Sequence, residues 1–137
     1  PGQNVEETKG VVYHGFLYKE SHEDLLKLES ILAQAFLLMH VTREDTNPLV
    51  ITEAGYFGCP AISVEHYAIP ELIVHNKTGV LLEYLPKPKR IAAAVEALIL
   101  DKESYFVMRK ATALFNKETF SWIQIGEVLK TILNKEC

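Results

Sequence analysis

Apolar and polar positions alternate along the chain in short blocks, and their spacing changes from block to block. GVVYHGFLY (10–18) alternates and is rich in β-branched and aromatic residues, which predicts a strand over roughly 11 to 17 ending in the Gly15 region. Ser21 then offers a helix N-cap with Asp24 three residues on, and Leu25, Leu26, Leu28, Ile31 and Leu32 recur at helical spacing. AFLLMHV (35–41) is apolar without alternation, as in a strand buried on both faces of a parallel sheet. A polar loop, TREDTN (42–47), leads to Pro48, which suits a first helical turn, and Gly58-Cys59-Pro60 stops that short helix near residue 57. AISV (61–64) predicts another buried strand, Ile69-Pro70-Glu71 a short helix, Asn76 to Gly79 a turn and VLLE (80–83) a strand. Three helices follow, over about 88–100, from KESYFVMRKATALFNK (102–117), and from FSWIQIGEVLKTILNK with Ser121 as its N-cap. Strands alternating with helices predict an α/β fold with a Rossmann-like, mostly parallel sheet flanked by helices.

Composition narrows this reading. With 137 residues, 48% hydrophobic and 23% charged, the chain has the make-up of one globular domain or a large part of one. The formal charge of −4 and scattered Lys and Arg residues disfavour nucleic acid as a partner. No apolar stretch reaches the roughly 20 residues needed to span a bilayer, and no signal peptide is read. Cys59 and Cys137 are too few for a disulfide framework and lack zinc-site spacing, which fits a reducing, cytoplasmic compartment. Asn76-Lys77-Thr78 matches a glycosylation sequon but reads as a turn. The polar start, PGQNVEETKG, suggests an excised piece of a longer protein.

In open α/β sheets ligands bind at the carboxyl ends of the strands, which singles out the loop near Gly15 and the TREDTN loop. In the second, free amides at a helix start can receive an anion. Asp45 and Glu53 flank it with seven residues between. Carboxylates do not bind phosphate but accept hydrogen bonds from hydroxyls, so amides plus acids suit a ligand with both phosphate and sugar, such as a nucleotide sugar.

HGFL (14–17), EDTNPLVITEAGYFGCPAIS (44–63), IPELI (69–73) and HNKTGVLL (75–82) together resemble the carboxyl-terminal domain of retaining glycosyltransferases of family four, the glycosyltransferase group 1 type with the GT-B fold. FSWIQIGEVL (120–129) resembles that family's closing helix. The resemblance implies that residues 1–137 form a single, partial nucleotide-sugar-binding domain, the later part of a GT-B carboxyl-terminal domain. It implies that Glu53 binds the donor ribose, that Asp45 contacts the donor sugar, and that the backbone of Thr46, Asn47, Pro48, Leu49 and Val50 holds sugar and pyrophosphate. Gly15, Phe16 and Leu17 would line the nucleobase through main-chain atoms. The implied reaction is metal-independent and cofactor-free transfer of a hexosyl group from a nucleoside-diphosphate sugar, the leaving phosphate deprotonating the acceptor. The acceptor, a sugar, lipid or protein, would be bound mainly by an amino-terminal domain outside these residues, and peripheral membrane association of the full-length protein is compatible with that.

Three departures from the pattern stand out. Asp45 replaces the usual Glu, Thr46 the Gly that commonly follows, and Tyr67-Ala68 two glycines, which predicts a stiffer or narrower loop. The Arg and Lys that grip the pyrophosphate have no match here, so this chain alone is expected to transfer nothing. A non-catalytic partner or regulatory domain that has lost donor binding stays open as the alternative. So do plain structural roles: Asp45 as a cap for the helix at Pro48, and Glu53 as a solvent-facing helix residue. The five histidines, His14, His22, His40, His66 and His75, show no metal-site spacing, and His14 and His40 are expected near strand ends. Cys59 reads as structural, and Phe120, Trp122, Ile123 and Ile125 as packing for the closing helix.

Overall fold

Ser21 starts the first helix, α1 (His22–Gln34). Its hydroxyl accepts from the Asp24 amide at 3.4 Å, satisfying one of the donors a first turn leaves open. Asp24 does not reach back to Ser21; its carboxylate accepts from the Tyr18 amide at 3.0 Å and ties the incoming chain to the helix. Then come β1 (Leu38–His40), α2 (Leu49–Tyr56), β2 (Ala61–Val64), α3 (Ile69–Leu72), β3 (Gly79–Leu82), α4 (Pro88–Leu100), α5 (Lys102–Phe120) and α6 (Trp122–Leu133). This computed structural model describes residues 8–134, so Cys137 and most of the polar start lie outside the described residues.

The three strands are parallel in the order β1-β2-β3, with Leu38 opposite Ala61 and Ala61 opposite Gly79. The expected α/β fold with a parallel sheet flanked by helices is therefore present. Every residue of β2 is buried, as a central strand covered on both faces requires. Two apolar clusters meet on it. Ala61 and Val64 pack with Ile51 of α2 and Ile69 and Leu72 of α3, while Ile62 packs with Leu98 of α4 and Tyr105 and Met108 of α5. Gly79 opens β3 because a side chain there would meet the Ala61 carbonyl at 2.4 Å across the ladder.

Residues 11–17 are not a strand, contrary to the alternation they carry. Val11, Val12 and Tyr13 are exposed, and among the described residues no strand pairs with this segment. Strand propensity expresses itself only on a pleated surface with neighbours, and these residues have none. His14 consequently stands in irregular chain, whereas His40 ends β1 as expected.

Helix α5 holds the other elements together. Tyr105 donates to the Phe36 carbonyl at 2.6 Å, and its ring stacks on Phe36. Thr112 donates to the Thr78 carbonyl at 2.9 Å, so the third residue of the sequon is buried in the fold. Arg109 reaches the carbonyls of Ala33, Ala35 and Phe57, at the ends of α1 and α2. Cys59 is a buried free thiol, and burial raises its pKa against the opposing pull of Arg109. Ser121 caps α6 as expected, accepting from the Gln124 amide. Packing on α6 is different from the expectation: Trp122 is 86% exposed and Ile123 is exposed with it, because no described element covers that face. Phe120, the last residue of α5, is the one of the four that packs on the α2–α3 core cluster.

Candidate functional site

The carboxyl ends of the three parallel strands share one edge, and the loops leaving them are joined there. Thr46, in the loop after β1, accepts a hydrogen bond from the Ala68 amide in the loop after β2, at 3.3 Å. Tyr67 beside it adopts φ of 51°, the left-handed conformation that glycine favours. Tyr67 therefore holds a backbone conformation that strains a residue carrying a Cβ. Its ring lies 4.0 Å from that of His66, which lies 4.4 Å from Tyr84 beyond β3.

Helix α2 begins at this edge without a side-chain cap. Its first amide bond runs from Ile51 to the Pro48 carbonyl, which leaves the Leu49 and Val50 amides pointing from the helix start. Asp45 does not cap this helix. Its carboxylate Oδ2 lies 3.2 Å from His40 Nε2, and His40 Nδ1 lies 3.3 Å from Ser63 Oγ on β2. Glu53 stands one turn into α2 and is half-buried rather than fully solvated, and Lys19 Nζ pairs with its Oε1.

Glu53 separates two clefts. The larger, of about 600 Å³, is bounded by Asn47, Leu49, Thr52, Ala68, Glu71 and Trp122, among others. The smaller, of about 320 Å³, lies toward Lys19, Leu25, Leu28, Leu32 and Tyr56. So the structure brings Asn47, Leu49 and Glu53 to one cavity, while the Asp45 carboxylate is engaged by His40. Gly15, with φ of 71°, the exposed Phe16 and the half-buried Leu17 lie in the irregular segment, and this segment connects to α2 through Lys19. Lys19 and the His40–Ser63 link escaped the sequence reading, since each partner lies more than 20 residues away (34 and 23 respectively) and neither carries a spacing signal. Among the described residues no group of three or more His, Cys, Asp or Glu is placed to hold a metal ion, and no helix is long and apolar enough to cross a membrane.

A parallel sheet with an uncapped helix start and an acid at its carboxyl edge is the setting in which the sequence motifs lie, and comparison with known proteins agrees with it. The profile described as "Glycosyl transferases group 1" matches residues 3–115. The chain belongs to glycosyl transferases group 1. Among curated members, the amylovoran biosynthesis glycosyltransferase AmsK of Erwinia amylovora is 39% identical over 72 residues, which are 50% of this chain and 16% of that protein. The group 1 fold is also seen in HepE (Alr3699) of Anabaena, solved in complex with UDP, with a TM-score of 0.70 at 18% identity over 85% of this chain. Sucrose-phosphate synthase of Thermosynechococcus elongatus gives a TM-score of 0.66 at 17% identity over 82% of this chain. These alignments span 36% and 28% of the two solved chains, so this group 1 chain corresponds to about a third of such a protein.

Proposed function

We propose that residues 1–137 are a single, partial donor-binding domain of a retaining, metal-independent glycosyltransferase that transfers a hexosyl group from a nucleoside-diphosphate sugar. The observation that carries this reading is the meeting of the uncapped start of α2 with Glu53 at the carboxyl edge of a parallel sheet, in a chain of the group 1 family. The Leu49 and Val50 amides supply donors for a phosphate or sugar oxygen, and a carboxylate one turn later supplies acceptors for ribose hydroxyls. Thr46, Asn47 and Pro48 set the path of the loop, Asp45 contacts the donor sugar, and Gly15, Phe16 and Leu17 offer main-chain groups to the base. HepE has been solved with UDP and with UDP-glucose, which supports a uridine diphosphate sugar as the probe donor.

The acceptor is bound by a part of the protein beyond these residues, and the domain alone transfers nothing. Electrostatic holding of the diphosphate then carries much of the catalysis, as charge develops on the leaving group when the anomeric bond breaks. The buried free thiol of Cys59 is consistent with a cytoplasmic setting.

Substituting Glu53→Gln in the full-length protein tests the assignment by calorimetry with UDP. A hydrogen bond to a charged group contributes about 1.5 to 3 kcal/mol, so affinity should fall roughly 10- to 150-fold. The 2′-deoxy nucleotide should lose less. Equal losses for both nucleotides remove Glu53 from the ribose, and unchanged UDP affinity removes it from the site.

A further inference from the structure

His40 ends β1 at the carboxyl edge, and its ring stands between a buried hydroxyl and an acid. Ser63 Oγ is 3.3 Å from Nδ1 and Asp45 Oδ2 is 3.2 Å from Nε2. The single hydroxyl proton of Ser63 is already committed, because Oγ donates to the His40 carbonyl at 2.7 Å. Toward the ring the hydroxyl can therefore only accept, so Nδ1 carries a hydrogen. A ring protonated at Nδ1 alone would aim the Nε2 lone pair at a carboxylate, and two acceptors at that distance repel. The Asp45 oxygen accepts, so Nε2 is the donor in that contact.

We propose that His40, oriented by Ser63, is the positioning residue for Asp45 and sets where the sugar-facing carboxylate sits. The consequence for the sugar rests on the donor-binding reading above; the bond itself rests on geometry. The chain of contacts runs outward from the core: Ser63 is fully buried, the His40 side chain is 14% exposed and that of Asp45 37%, so each link is anchored by one better shielded from water. The adjoining backbone is also tied by the bond from the Ala68 amide to the Thr46 carbonyl, which restrains the loop from shifting to fit a different acid. This explains the shorter side chain at position 45. A glutamate would carry its carboxylate about 1.5 Å farther, past Nε2.

Two measurements test the proposal. In the 137-residue chain labelled with ¹⁵N at histidine, the Nε2 proton of His40 should exchange with solvent more slowly than in the Asp45→Ala chain, by up to about tenfold for one hydrogen bond. Equal exchange in the two chains, or an Nδ1 without a proton, overturns the pairing. In the full-length protein, His40→Phe should weaken UDP-glucose by about tenfold while UDP stays within about twofold, and His40→Gln, which keeps an N–H donor, should recover part of the loss. A loss shared equally by UDP and UDP-glucose makes His40 a structural residue only and overturns the positioning role. If the wild-type protein binds neither probe, the donor reading falls, and the ring-proton measurement still decides whether His40 holds Asp45.

Discussion

Gly55 lies in α2 two residues after Glu53, with its bare face against Asn116 of α5, and this contact makes a sharp prediction. A Cβ at position 55 would stand 2.1 Å from Asn116 Nδ2, 2.4 Å from Cγ and 2.7 Å from Oδ1. All three atoms belong to one side chain, so Gly55→Ala forces the amide to swing away as a unit. The swing breaks the 2.9 Å bond from Nδ2 to the Thr112 carbonyl, and at 2% exposure no water takes its place. Overpacking costs about 1 to 3 kcal/mol and the lost bond about 1, while alanine gains about 1 over glycine in a helix. The net loss is about 1 to 3 kcal/mol, or about 3 to 9 °C in Tm for a chain of this size. Urea unfolding followed by circular dichroism reads it directly. Among the described residues Asn116 Oδ1 has no partner, so removing the side chain loses little beyond the Thr112 bond and opens the space that a methyl needs. Gly55→Ala should therefore be far milder in an Asn116→Ala background. Additivity of the two substitutions within about 0.5 kcal/mol, or a Gly55→Ala chain as stable as the parent, would refute the steric argument.

Other expectations concern helix ends. Arg109→Met should strip a cation from the carbonyls of Ala33, Ala35 and Phe57 and lower stability by about 2 kcal/mol. Amide exchange should rise first at the end of α1, and uniform exchange across α1 and α5 would contradict this order. Asp101 caps α5 by accepting from the Ser104 amide at 3.0 Å, and that bond, then one from the Ser104 side chain, lowers its pKa. A lowered folded value means the stabilisation is present above the ordinary carboxylate range and is lost as pH falls through the folded value. Asp101→Asn keeps an acceptor oxygen but cannot titrate. The Tm advantage of the parent over this variant should thus shrink on acidification, and an advantage independent of pH would rule out the linkage.

Much of this architecture was legible in the order of residues because the signals are local. The Ser21 and Ser121 caps, the Pro48 helix start and the short AISV run each act within a turn or a strand, and each stands where the pattern places it. The family motifs, also local, located the loop from Asp45 to Val50 and the acid at Glu53. Only the tertiary structure decided the fate of residues 11–17, since alternation permits a strand but a strand needs a ladder partner, and none of β1 to β3 supplies one. It also decided the partners of both acids. Lys19 meets Glu53 across 34 residues, and His40 meets Asp45 in a bond whose direction depends on Ser63, 23 residues away on the neighbouring strand. Hydrogen bonds and ion pairs act over about 3 Å of space, whereas a sequence records distance along the chain. The sheet register converts one into the other, which is why the elements could be read before the contacts that tie them together.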